Sequence, residues 1–541
     1  MISDILSTPF LGISTTAWLV VVACFSLLLY RLVAPARLLV ELPSPPKASW
    51  ATGHFNKLFG LNGTQYHEHL VATYGTTSKI NGAFGEEIIF TIDPVALHEV
   101  FVKNRGDFER PLASSVMLRF ILGGGLFSLR GDQHRIHRKI PVFMNIAEQT
   151  SACIKQDLSR AKSSSGEVDI FPWITAAALE LVGEAGLGYS FDSFTGQRNE
   201  YNIAIKSVLR LMSQVAPYAK ILPSLCNLGT AAFRRWAVRY IPIAIVQRLR
   251  YAVTVQNEQA EEVLRARQLL LSSGGDLSAE AGRGRDIMSL LMISNESEGS
   301  ENHIDRQGMI GHMNTFVFAG HETTSTFVSR ILSLLADLPR VQVKLREEVH
   351  SYFEHKDESN HDALLELPYL DAVVRETLRL YTPVTQLVRI NQKDTILPLQ
   401  YPIRTPNGKV SNIPVKAGTR IVTSLYMANR YGKIWGERAD EFWPDRWIGS
   451  KLDEVTEAGT HLPGVYSAMM TFGAGSSSCI TRADILMLEV MVAVMVKSFK
   501  FEPSQHNPSQ WETVGVQFPF LKSDPVGIER NPKLPLRVME L

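Results

Sequence analysis

Cysteine is scarce in this chain: Cys24, Cys153, Cys226 and Cys479 are the only four among 541 residues, and no two stand in a C-x-x-C pair. That excludes a disulfide framework and a zinc ribbon, and favours a reducing compartment for the bulk of the chain. An excess of one charge is also missing. The 55 Lys and Arg against 54 Asp and Glu leave a net charge of +1, whereas a nucleic-acid-binding protein shows a strongly basic face. No repeat period is visible. What remains is ordinary globular material, 45% hydrophobic and 20% charged, enough for a large core. Length alone would allow three or four domains.

A single long apolar run stands out, Ile5 to Tyr30, which carries no charge. A bilayer span takes about 20 such residues, and a cleaved signal peptide would want a basic start and a run of about 7–15. Here Asp4 precedes the run and Arg31, Arg37 and Lys47 follow it. The expectation is a transmembrane anchor over 1–40 with the N-terminus lumenal and the body cytosolic; the alternative is a buried helix. Leu42-Pro43-Ser44-Pro45-Pro46 then reads as a stiff hinge over 41–50. With a cytosolic body, the acceptor sequences at Asn62 and Asn295 should stay unglycosylated.

The body, 51–541, reads as one mainly α unit with a smaller β-rich region, an α+β organisation. Lys79 to Asp93 alternates as strands do. From Pro94 to about Glu348 the pattern is helical, broken near Ser272–Gly284 by a Gly- and Ser-rich connector. A second β-rich patch runs from Leu387 to about Thr423. Coil follows to Phe472, then a long helix and a Pro-rich tail of strands and loops.

Chemistry concentrates in a few segments. Cys479 leaves the loop Thr471-Phe472-Gly473-Ala474-Gly475-Ser476-Ser477-Ser478 and precedes an apolar helix. A thiol at a helix N-terminus has orphan N–H groups around it, which favour the thiolate, and a thiolate can be an axial ligand of haem iron. Phe472 is placed to cover the sulfur, and Gly475 to let backbone approach a porphyrin closely. The alternative is an inert buried cysteine. Ala319-Gly320-His321-Glu322-Thr323-Thr324 lies in a predicted helix from about Arg306 to Leu338. Gly320 inside a helix costs about 1 kcal/mol relative to Ala, which would be offset by a function such as clearing space beside the helix; tight helix packing is the other reading. Thr323 can bond an earlier carbonyl, and with Glu322 it can relay protons. Glu376 and Arg379 are i, i+3 and can pair on one helical face. Arg446, amid Trp443, Pro444 and Trp447, reads as a buried guanidinium for which Glu376 is a candidate partner. The basic cluster Arg130 to Lys139 reads either as a site for cofactor carboxylates or as a solvated face.

In this order and spacing the motifs resemble the cytochrome P450 superfamily of haem-thiolate monooxygenases, from about Leu42 to near the C-terminus. The anchor and hinge are similar to microsomal members, and His134 to fungal ones. The resemblance implies a triangular helical prism holding haem b, with Cys479 the iron ligand. It implies that Ala319, Gly320, Glu322 and Thr323 line the oxygen site, and that Glu376, Arg379 and Arg446 form a structural triad. His134, Arg138 and Arg389 would contact the haem propionates. It implies an NADPH-dependent reductase as partner, the endoplasmic reticulum membrane as location, and insertion of one oxygen atom into a lipophilic small molecule such as a fungal terpenoid. Candidate pocket segments are Met117 to Phe127, Leu211 to Leu228 and Thr382 to Val388; Tyr240 to Ile245 is a candidate membrane contact. Two positions depart from the family pattern: Ser477 stands where Arg or His is usual, and Thr481 where Gly is. They keep two other readings open, a reductase-independent haem isomerase or dehydratase acting on a peroxide, and a haem-poor binding protein.

Overall fold

The computed structural model describes residues 38–123, 140–160, 166–195, 200–272, 288–289, 291–292, 295, 304–355, 361–449, 461–475, 478–479, 483–525 and 530–541. The apolar run 5–30, the 273–284 part of the connector, His134, Arg138, Ser477 and Thr481 lie outside them. Among the described residues no helix is long and apolar enough to cross a membrane.

The hinge lies along the body. Leu42 is buried in the core, the Pro43 carbonyl accepts from Lys79 N at 2.8 Å, and the Pro46 carbonyl lies 3.1 Å from His54 Nε2. Helix α1 (Gly63–Tyr74) leads into strands β1 (Thr77–Asn81) and β2 (Glu87–Thr91); β2 is buried on both faces, with Ile88, Ile89 and Phe90 in the core. The two-residue strand β3 (Phe108–Glu109) precedes α2 (Leu112–Leu122). Then come α3 (Ile140–Arg160), β4 (Glu167–Asp169), α4 (Phe171–Leu181), α5 (Glu200–Val215), α6 (Ala231–Arg239) and α7 (Ala244–Ser272).

The central helix α8 (Arg306–Asp337) starts where the Asp305 carboxylate accepts from Gly308 N at 2.7 Å, an N-cap that satisfies an orphan donor. Most of its length is buried, as suits a helix packed on several sides. Helix α9 (Pro339–His355) places Glu348 so that its carboxylate accepts from the N–H groups of Tyr369 and Leu370, both at 2.8 Å. These are first-turn donors of α10 (Pro368–Leu380), which also has Pro at its first position.

Strands β5 (Gln386–Asn391), β6 (Thr395–Thr405), β7 (Gly408–Val415) and β8 (Arg420–Ser424) follow. They form the second β-rich patch, as alternation and turn residues indicate. The main sheet has the order β1-β2-β8-β5-β3, parallel only between β2 and β8. After α11 (Ala483–Ser498) the chain adds β9 (Phe499–Pro503), β10 (Ser509–Val514), β11 (Val516–Leu521) and β12 (Pro535–Glu540). Strands β4, β12 and β9 pair as one sheet, β10 and β11 as a hairpin. Helices dominate and the sheets are the smaller part, as the sequence indicates.

Candidate active site around the Cys479 loop and helix α8

The Cys479 loop folds back on itself. Gly473 N donates to Met470 O at 2.8 Å, Ser478 N to Gly475 O at 3.2 Å, and Cys479 N to Phe472 O at 2.7 Å. These bonds fix the loop where φ is +71° at Gly473 and +66° at Gly475, a region glycine enters without steric cost. They leave the Cys479 side chain exposed at the exit. The following helix is described from Ala483. Phe472 is tied to Cys479 through its carbonyl, while its ring packs edge-on against Tyr466 at 5.7 Å. A Cβ on Gly475 would stand 2.0 Å from Phe101 O, so this glycine permits a close approach of protein backbone. Gly475→Ala combines that clash with a strained φ. We expect it to displace the loop and reduce bound cofactor at least severalfold, read by absorbance per mole of purified protein.

Below the loop, Glu376, Arg379 and Arg446 are all fully buried. Arg379 donates to Glu376 from Nε at 3.0 Å and Nη2 at 2.8 Å, and Arg446 Nε donates to Glu376 Oε1 at 3.0 Å. Trp443 N and Trp447 Nε1 complete the carboxylate's partners at 3.0 and 2.9 Å. Burial pushes the Glu376 pKa up, but the Arg379 hydrogen bonds and the two cations outweigh it and hold it below the ordinary value. The expected triad is thus assembled.

Its link to the loop runs through Asn429, a residue the sequence reading missed. Arg379 Nη1 donates to Asn429 O at 2.8 Å. The Asn429 amide accepts from Met470 N at 2.7 Å and donates to Thr471 Oγ1 at 2.8 Å. Nothing in the run Met427-Ala428-Asn429-Arg430 signals this; only the fold brings it there.

A second pair of cations lies beside the loop. Phe108 pairs with Asn391 and Glu109 with Ile390, so the same antiparallel register continued one step sets Arg110 opposite Arg389. Like charges directly opposite on neighbouring strands repel. Burial lowers the Arg389 pKa to about 10, and Arg110 adds to the effect. Arg110 is likewise depressed by burial. Among the described residues no carboxylate reaches salt-bridge distance of Arg389. Its Nη1 donates to its neighbour's carbonyl, Val388 O, at 3.0 Å, and its guanidinium lies 4.9 Å from the Phe101 ring centroid. Phe101 is also the residue Gly475 abuts, so the thiol loop and this cation meet on one residue.

On α8, Phe316, Ala319 and Thr323 are half-buried along a helix otherwise mostly buried, at the i, i+3, i+7 spacing of one face. Thr323 Oγ1 donates to Ala319 O at 2.6 Å. Glu322 is buried and stands with its Oε1 3.8 Å from His321 Nδ1. Gly320 stands four residues from Phe316 and three from Thr323, beside that face. A Cβ on Gly320 would meet Val182 Cγ2 at 2.7 Å, so this glycine serves close packing against the end of the α4 segment.

The candidate pocket segments converge in part. Met117, Ile121 and Leu122 of α2 form one buried cluster with Val208, Leu211, Ala219 and Ala252, and Phe318 of α8 packs on it. Leu225 and Leu228 instead face outward, 50% and 59% exposed.

A family profile described as Cytochrome P450 matches residues 43–521. The chain belongs to the cytochrome P450 family. It is 36% identical over 513 residues to "Cytochrome P450 monooxygenase 91" of Postia placenta, covering 92% of this chain and 93% of the relative. It is 32% identical over 524 residues to a "Ganoderic acid synthetase" of Ganoderma lucidum, covering 93% and 94%. This P450 is therefore a monooxygenase whose cofactor is haem b, and the reading as a haem-poor binding protein falls away. The residues fit the group. Haem b needs a soft donor for iron and cations for its carboxylates. The chain offers an exposed thiol and, beside it, a buried guanidinium that no described carboxylate neutralises.

Proposed function

We propose that this P450 oxidises a lipophilic small molecule with Cys479 as the iron ligand and with electrons from an NADPH-dependent P450 reductase. The observation that carries the site assignment is the meeting of the Cys479 loop and Arg389 on Phe101. Arg389 holds a propionate, with Arg110 beside it; His134 and Arg138 keep the same role by resemblance. Haem supplies, when bound, the binding and reductive activation of dioxygen. The chain's own residues manage protons and water. Thr323 has committed its proton to Ala319 O, so its oxygen is free to accept a hydrogen bond from a water in the pocket. Glu322 is the carboxylate that passes protons inward along that face. The apolar cluster of α2 and α5 beside Phe318 excludes bulk water and favours a lipophilic substrate. A terpenoid is the substrate class we favour, since the Ganoderma relative is named for a ganoderic acid.

We also place the protein on the endoplasmic reticulum membrane, anchored by 1–40, with 41–50 as the junction to a cytosolic body. The surface supports a membrane contact near Tyr240. Phe233, Trp236 and Tyr240 stack along α6 and just beyond it, with centroids 5.9 and 5.2 Å apart, and Trp236 and Tyr240 are 56% and 70% exposed. Arg234, Arg235 and Arg239 lie among them, and no Asp or Glu occurs between Glu200 and Glu258. Aromatic bodies with basic neighbours suit an interface with anionic lipid.

The test is reconstitution of full-length protein with P450 reductase in lipid vesicles and a panel of terpenoids. Product that depends on both NADPH and reductase is expected. Equal turnover without the reductase on a peroxide substrate would overturn the reading. Trp236→Ala with Tyr240→Ala should weaken attachment to anionic vesicles, measured by sedimentation.

A further inference from the structure

We propose that Arg210 of α5 is a specificity-determining residue, whose guanidinium docks a carboxylate carried by an otherwise lipophilic substrate. The inference rests on the reading of this region as the substrate pocket and narrows the substrate class to lipophilic acids.

Arg210 is set between apolar neighbours. Leu209 belongs to the main core and packs on the tip of the β10–β11 hairpin, where a Cβ on Gly515 would stand 2.8 Å from Leu209 Cδ1. Leu211 belongs to the cluster with Met117 and Ile121. The Arg210 side chain is half-buried between these two surfaces. Among the described residues its one side-chain hydrogen bond is from Nη1 to Arg530 O at 2.7 Å. A guanidinium has five N–H donors, so the rest of the fork is uncommitted.

Its charge is also unmatched. Among the described residues no carboxylate comes within 4 Å of it. The nearby acid Glu512 is taken by the Arg530 side chain. Glu322 of α8 is the carboxylate whose field favours the protonated Arg210, against the larger opposing effect of burial. Arg210 and the Glu322 carboxylate are within electrostatic range of one another, with no ion pair between them. A planar donor fork at the edge of an apolar pocket matches a carboxylate in bidentate fashion. A neutral ester of the same shape accepts more weakly and leaves the cation unmatched. Held there, a substrate acid fixes which end of the molecule lies against α8.

The competing role is that Arg210 only tunes Glu322. The experiment separates the two with a set of lipophilic acids, oleic acid and several triterpenoid acids, each paired with its methyl ester. Binding to full-length wild type, Arg210→Gln and Arg210→Lys is measured by equilibrium dialysis, with circular dichroism to confirm folding. Wild type should bind at least one acid about ten- to a hundredfold tighter than its ester. Arg210→Gln should abolish that preference while ester binding holds, and Arg210→Lys should restore part of it. If no acid outbinds its ester, or if Arg210→Gln leaves the preference intact, the proposal fails. If Arg210→Gln instead slows turnover of acids and esters alike with affinities unchanged, Arg210 serves Glu322 and the proposal also fails. The reduced carbon monoxide spectrum of the same preparations reports separately on the iron site. A missing thiolate band would count against the site assignment, while the dialysis result would still decide the role of Arg210.

Discussion

Cys479→Ala should leave a folded protein that neither shows the red-shifted carbon monoxide band nor forms product. Among the described residues the other cysteines are Cys153, within α3, and Cys226, at the end of the short helix Leu222–Cys226, so no other described thiol takes over. The bonds that shape the loop are backbone ones, Cys479 N to Phe472 O among them, and alanine keeps them all. The loss is therefore chemical. As the iron ligand the Cys479 thiolate would supply the electron density on which the cofactor's oxygen chemistry depends, and a rise in barrier of about 4 kcal/mol already costs roughly a thousandfold in rate. We expect at least that drop, measured as reductase-dependent product per mole of protein, with an unchanged far-ultraviolet spectrum. A variant that kept both band and turnover would refute the assignment of Cys479.

Glu376→Gln should destabilise the fold by about 3–5 kcal/mol, because it removes the one anion shared by two fully buried guanidinium groups. The amide can still accept hydrogen bonds, but it cannot neutralise Arg379 and Arg446. Loss propagates to the active site through Arg379, Asn429 and the Met470-Thr471 turn. Cofactor retention should fall together with the denaturation midpoint. The pH dependence carries its own signature. The Glu376 pKa is depressed in the fold from its ordinary 4.5. Its stabilising contribution is thus fully present above about pH 4.5 and is lost as pH falls through the lower folded value. Wild type should show that acid limb in urea or thermal denaturation, and Glu376→Gln should lack it. An unchanged midpoint in the variant would show that the triad is dispensable.

What could be read from the chain was what local spacing encodes. The 306–338 helix was legible because its apolar pattern is long and its cap, Asp305, is a good N-terminal signal; it is observed at Arg306–Asp337. Glu376 and Arg379 follow from i, i+3 spacing, and Arg446 as their partner from the need of a buried cation for an anion. Contacts set by the packing of distant segments were not legible. Arg110 meets Arg389 through a strand of only two residues. Asn429 gains its role from three separate segments. Gly320 and Gly475 were each recognised as places where a side chain would not fit, but the partners turned out to be Val182 and Phe101. Periodicity finds the face of a helix; it does not say what the tertiary structure lays against it.

The register that sets Arg110 against Arg389 has a consequence for supply and abundance. Arg389 is buried and Arg110 half-buried; like charges so placed repel, and on the proposed reading the carboxylates of a bound cofactor would relieve that repulsion. Ligand binding to the native state raises stability by mass action. The amount of intact protein that a cell maintains should therefore track its tetrapyrrole synthesis, and chains made during shortage should be the first degraded.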